Sequence, residues 1–152
     1  MSFASVRPDD WNLPLLVHVL GAMVFVALLA ALAVIFVASL RSGDRAEALR
    51  LAWRTLLFGA IPSYVVMRGA AEWIASEEDV PDDVAWISIG YMVSDTGLLV
   101  LIAVTVLAGL ARRRAAREGG DPGPLVRPAT ALTLVLIAGY AVALWAMTAK
   151  PL

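Results

Sequence analysis

From Leu13 to Leu40 the chain runs 28 residues without a formal charge. An α-helix rises 1.5 Å per residue, so this run is about 42 Å long against a bilayer hydrocarbon core of about 30 Å. With 61% hydrophobic residues among 152, and a mean hydropathy of +0.80, no soluble domain of this size could hide so much apolar surface. The run is expected to cross a membrane with length to spare, and therefore to tilt. A cleaved signal peptide is the competing reading, because Ala31-Leu32-Ala33 and Val37-Ala38-Ser39 mimic cleavage sites. The apolar part of such a leader is typically about 7–15 residues, far shorter than this run. The segment ahead of it also carries Asp9 and Asp10 beside a single Arg7, so the run is expected to remain as the first helix.

Three further apolar runs follow, at about 51–74, 84–110 and 128–147. Together with the first they predict an all-α integral membrane protein, a four-helix bundle of antiparallel up-down topology. Residues 1–152 then form a single transmembrane domain with an inner linker at 111–127. Pro14 and Pro128 fall where a helix start tolerates proline. Orientation follows from the basic residues. Arg41, Arg45, Arg50 and Arg54 flank the first loop, and Arg112, Arg113, Arg114, Arg117 and Arg127 flank the third. Nine of the twelve basic residues thus share one side, which the positive-inside rule assigns to the cytoplasm. Asp9, Asp10 and the acidic stretch Glu77 to Asp83 mark the other side, which places both termini outside. The expected location is the inner (plasma) membrane, as a multi-pass protein. Eleven Arg to one Lys points to a GC-rich bacterial genome.

Several function classes fall away. The net charge of −1 is a cancellation of two opposed surfaces and gives no reason to expect a nucleic-acid partner. The arginine cluster 112–117 is first a topology signal, and it also suits anionic lipid at about 1 kcal/mol per residue. The absence of cysteine removes disulfides, thiolate metal sites and thiol redox chemistry. His18 is the sole histidine and no GxSxG or HExxH pattern occurs, so hydrolysis is not indicated and zinc lacks ligands. The segment Gly119 to Pro124 has neither the lysine nor the strand of a phosphate-binding loop. The sequence points away from an enzyme.

Against the apolar background Arg68 and Asp95 stand out, since a charge at the centre of a spanning helix costs about 2.5–3.5 kcal/mol on insertion scales. Measured from the outer end of each run, His18 lies about 7 Å deep, Arg68 about 9 Å, Tyr91 and Tyr140 about 10 Å, and Asp95 about 16 Å. Four helices thus bring polar groups to one layer in the outer half, while the inner half is nearly pure Leu, Val, Ile and Ala. This asymmetry predicts an outer-half polar pocket built from Arg68, Asp95, Glu72, Tyr91, Tyr64, Tyr140 and His18. Tyr64, Arg68 and Glu72 share an i, i+4, i+8 stripe, and Tyr91 and Asp95 repeat the spacing. Pro62 removes one backbone hydrogen bond and frees a carbonyl near Phe58, which predicts a kink just below the layer. Gly90, Ser94 and Gly97 predict a close approach of the third helix to a neighbour. The two hairpins also read as a weak repeat, each returning helix carrying a tyrosine, Tyr64 or Tyr140.

Plainer readings stand beside these. Arg68 paired with Asp95 or Glu72 can serve only to hold helices together, or its side chain can extend outward to the interface. A lone histidine such as His18 is commonly a hydrogen-bonded structural residue. Trp11, Trp73, Trp86 and Trp145 near the outer boundary, and Trp53 near the inner one, are expected to anchor the interfaces.

Two stretches, Leu16-Val17-His18-Val19-Leu20-Gly21-Ala22 and Trp145-Ala146-Met147-Thr148-Ala149-Lys150-Pro151, resemble the copper-resistance D-type family and its relatives. These are small predicted four-helix bacterial membrane proteins, mostly without assigned function. A histidine early in the first helix is also similar to that of the HemJ-type protoporphyrinogen oxidases, where it binds haem. That resemblance implies haem b as a cofactor, with His18 as a ligand of its iron. The second histidine of a bis-histidine site is missing, as are the aromatic and arginine residues that follow the family histidine.

Three functions remain open. One is a polytopic inner-membrane protein whose outer polar pocket binds a small ligand, ion or lipid, as a transporter-like protein or accessory subunit. It would use Arg68 as anion anchor and Asp95 as proton or cation partner. Another is a haem-binding membrane redox protein with His18 as axial ligand and Met23, Met67, Met92 or water opposite. The last is a structural subunit of a homodimer or larger membrane complex, with the charges locking the bundle.

Overall fold

A computed structural model describes residues 12–41, 44–78, 85–117 and 120–149. Its elements are α1 (Asn12–Arg41), α2 (Arg45–Thr55), a π turn (Leu56–Ala60), α3 (Ile61–Glu78), α4 (Ala85–Ala115) and α5 (Gly123–Ala149). Because α2, the π turn and α3 follow without a break, the described residues form four helical rods and no strand. The rods α1, α4 and α5 are each long and apolar enough to cross a membrane, which is the composition of a membrane protein. Asp9, Asp10, Trp11, the loop 79–83, Gly119 and the terminal Lys150-Pro151 lie outside the described residues.

The helix ends depart from the apolar runs for local reasons. The second rod begins at Arg45 rather than Leu51, because the Asp44 side chain accepts a hydrogen bond from the Glu47 backbone N–H at 3.4 Å and caps it. It continues to Glu78 rather than ending near Ile74. Hydropathy marks only the apolar stretch of such a helix, and its polar first and last turns escape notice. Similarly α4 runs on to Ala115, placing Arg112, Arg113 and Arg114 in a last turn whose carbonyls favour cations. The last helix starts at Gly123, so Pro128 sits inside it rather than at its start. Asp121 accepts from the Gly123 N–H at 3.0 Å, and it pairs with Arg45 at 3.1 Å, tying the start of α5 to the start of α2.

Pro62 expresses itself as the π turn. A proline has no N–H, and its ring crowds the carbonyl one turn earlier. The helix responds by widening: the Ile61 N–H reaches back five residues to the Leu56 carbonyl.

Packing follows small-residue and aromatic stripes. On α1, Phe25, Leu29, Leu32 and Phe36 have no exposed surface and run along one face. On α4 the buried positions Gly90, Ser94, Gly97, Leu101, Val104, Ala108 and Ala111 alternate in steps of four and three. That period of about 3.5 keeps one seam facing a neighbour. The neighbour is α5, the most extensive partner of α4. Around the bundle, α1 contacts α2, α3 and α5, and α4 contacts α5 and α2. No comparable backbone approach joins α3 to α4. The second rod therefore lies against α4 through its first part and parts from it beyond the π turn, leaving a side of the bundle spanned only by side chains.

Candidate functional site

Arg68 occupies that opening. Its Nη1 donates to a Glu72 carboxylate oxygen one turn along α3, and its Nη2 donates to Asp95 Oδ1 across the gap on α4 at 3.3 Å. The guanidinium carbon also lies 4.6 Å from the centre of the Tyr91 ring, a cation–π contact from α4. Arg68 stands ten residues from the end of α3 and Asp95 ten residues from the start of α4. Both are thus about 15 Å from their helix ends, and the unequal depths expected from the apolar runs vanish once α3 extends to Glu78.

Exposure decides what this cluster is. The Arg68 side chain is 23% exposed, but those of Glu72 and Asp95 are 55% and 65% exposed. The carboxylates lie on the flank of the bundle rather than inside it. Around Asp95 the outer face of α4 carries exposed Met92, Leu99, Ile102 and Val106, with Ser88 and Thr96 as its exposed hydroxyls. The best-formed cavities of the described residues lie elsewhere. One is a groove along Ala33, Val34, Val37, Ala38 and Arg41 of α1, and the other lies among Asp44, Arg45, Ala115, Arg117 and Pro122.

The remaining residues expected in one pocket divide between two other settings. Tyr64 and Tyr140 are buried in the core, where both rings meet Phe25 edge-on, at 5.7 and 5.0 Å between centroids. The Tyr64 hydroxyl donates to the Ser94 carbonyl at 3.1 Å and lies 3.3 Å from the Ser94 hydroxyl. The Tyr140 hydroxyl is buried beside Gly97 with no hydrogen-bond partner among the described residues. His18 lies at the α1–α3 contact, its Nδ1 2.9 Å from the Met67 carbonyl. One turn on, a Cβ at Gly21 would be 3.1 Å from the Met67 backbone, so the two helices touch there.

The haem expectation can be tested on this geometry. With Nδ1 engaged by a carbonyl, His18 keeps Nε2 as its coordinating nitrogen, the arrangement common in metal-binding histidines. The opposite side of an iron is not supplied. Met23 and Met92 are 64% and 67% exposed on the outside of the bundle, and Met67 is buried under Gly21. No group of three metal-binding side chains occurs among the described residues. The chain by itself does not fit a two-sided haem site.

Arg68, Glu72, Asp95 and Tyr91 are neighbours in the structure; the i, i+4 spacing carries the Arg68–Glu72 contact, whereas the depths read from the apolar runs set Arg68 and Asp95 apart. Ser94, read as a small packing residue, proves to be the partner of Tyr64. The Met67 carbonyl that holds His18 is backbone, and no residue type announces it. Trp53, expected as an interface anchor, is half-buried against α4, where a Cβ at Gly109 would lie 2.7 Å from its ring. Arg112 lies over the same indole at 5.4 Å.

No protein-family model matches the chain, and a search of curated proteins and of solved structures finds no significant match.

Proposed function

We propose that this chain is a four-span protein of a bacterial inner membrane, with both termini outside, that works as an accessory subunit by associating sideways with another membrane component. The observation that carries this reading is the exposure of Asp95 and Glu72, 65% and 55%, on the flank of the bundle. A carboxylate facing hydrocarbon at this depth is costly, so a membrane protein keeps one there where something covers it. An enclosed ligand site would instead turn these oxygens inward. The second rod, with Arg68 and Glu72 along its length, crosses as the fourth span because Arg68 pairs with two acids. The arginines at the start of α2 and the end of α4 set the orientation.

The chain has no cysteine, so single-cysteine labelling has no background. Met92→Cys and Thr96→Cys report the Asp95 face, and Leu144→Cys, 65% exposed on α5, is the control. With nitroxide labels in membranes of the source cell, lipid-phase oxygen should reach Leu144→Cys freely while the other two are shielded. After purification into pure lipid vesicles all three should be open. Equal access at the three positions in the source membrane would defeat the reading.

A further inference from the structure

We infer that the component received on the α3–α4 flank is a transmembrane helix of another protein carrying one basic side chain in the outer half of the membrane. This inference rests on the lateral association proposed above and names its partner by charge, depth and shape.

Charge comes first. Among the described residues one guanidinium, Arg68, faces two carboxylates, Glu72 and Asp95, an excess of one negative charge. A lysine or arginine arriving from the side completes the pairing. A second copy of this chain does not, since two such clusters bring two guanidiniums and four carboxylates to one interface and double the excess.

Depth separates a helix from a lipid headgroup. Arg68 and Asp95 stand ten residues inside the ends of α3 and α4, and Trp73 and Trp86 lie between them and those ends. Tryptophans favour the headgroup boundary, which puts Asp95 below it at the level of acyl chains and Glu72, next to Trp73, at the boundary itself. A side chain on a neighbouring helix reaches that level directly.

Shape is the independent observation. Gly69 on α3 is exposed beside Arg68, and a Cβ added there would meet nothing within 4 Å. It packs against nothing among the described residues. A bare stretch of helix next to a charged group, flanked by exposed Val65 on α3 and Met92 on α4, lets a second backbone come close.

The test uses a poly-leucine transmembrane peptide with a single outer-half lysine, against an all-leucine peptide, each labelled for energy transfer to the Leu144→Cys protein in phosphatidylcholine vesicles. The lysine peptide should bind about tenfold more tightly, corresponding to about 1.4 kcal/mol. The Glu72→Gln, Asp95→Asn double variant should remove the preference. Gly69→Ile should weaken binding about fivefold while leaving the melting temperature unchanged. If the double variant fails to fold, Gly69→Ile alone decides the matter.

Equal binding of the two peptides, or a lysine preference that survives neutralisation of the acids, overturns the inference. So does energy transfer between two labelled copies of the protein that the double variant abolishes, which would make the partner this chain itself. Shielding of Met92→Cys and Thr96→Cys that phosphatidylethanolamine alone restores in vesicles would assign the face to lipid and likewise overturn it. Shielding in source membranes without a lysine preference defeats only the partner's chemistry. Absence of shielding defeats the lateral association itself.

Discussion

In the half of the bundle that the proposed orientation places inside, the second rod lies against α4 and the hydroxyl side chains turn back to their own helices. Ser39, Thr105, Thr130 and Thr133 each donate to a carbonyl three or four residues earlier, at 2.7–2.8 Å. In the outer half, where α3 has parted from α4, Ser76 and Thr148 also turn back to their own helices, but three other polar side chains reach across. His18 meets Met67 at 2.9 Å, Tyr64 meets Ser94 at 3.1 Å and Arg68 meets Asp95 at 3.3 Å. The two halves are thus held by different forces. The hydroxyls of the inner half link nothing, so shape joins its apolar helices, Trp53 on Gly109 with Leu and Phe stripes in between, and the polar links lie at its far end, where Asp121 meets Arg45 and Arg112 lies over Trp53. The outer half is joined by a few polar cross-links, one of which leaves carboxylate oxygens on the outside. The bundle thus has one end closed by helix packing and one flank spanned by side chains.

The contrast can be broken at either end. The largest effect should come from Arg68→Leu, which strands Glu72 and Asp95 in the membrane and should cost about 3 kcal/mol, measured as unfolding free energy in lipid vesicles. In detergent, where water reaches the flank, the loss should shrink markedly. A loss equal in the two media would show that the charges are sealed after all. Gly109→Leu drives a side chain into Trp53 and should cost about 2–3 kcal/mol by overpacking. Being a steric effect, it should be the same in detergent and lipid.

Single cross-links should be worth less. His18→Phe removes the bond to the Met67 carbonyl and should lower stability by about 1 kcal/mol in thermal denaturation. Tyr140→Phe is the sharpest of the small tests, because the hydroxyl is buried with no hydrogen-bond partner among the described residues. Deleting it should leave the melting point unchanged or raise it, whereas Tyr64→Phe, which loses the Ser94 bonds, should lower it by about 1 kcal/mol. A fall with Tyr140→Phe equal to that with Tyr64→Phe would place an unseen partner, such as water, on that hydroxyl.

Much of this architecture was legible in the residues. Long apolar runs without alternation form helices where the backbone must satisfy itself, so the helical class, the rods and the contact of Arg68 with Glu72 follow from hydropathy and spacing, whereas Asp95 stood only as an alternative partner. Helix ends were less legible, since Asp44, Glu78 and Gly123 lie in polar turns that hydropathy does not mark. Pro62 foretold an irregularity, and its form as a π turn depended on where the Ile61 N–H could find a carbonyl.

What the sequence determined by itself was the list of polar groups and their order along each helix, because the rise per residue is fixed. Which way each group faces was decided only by the tertiary structure. The rotation of each helix about its axis is set by what packs behind it. Phe25 draws Tyr64 and Tyr140 into the core, and Gly21 draws α3 onto α1, where His18 finds Met67. With α3 held against α1, and α4 held by its small-residue seam against α5, Arg68 and Asp95 are left to meet on the outside.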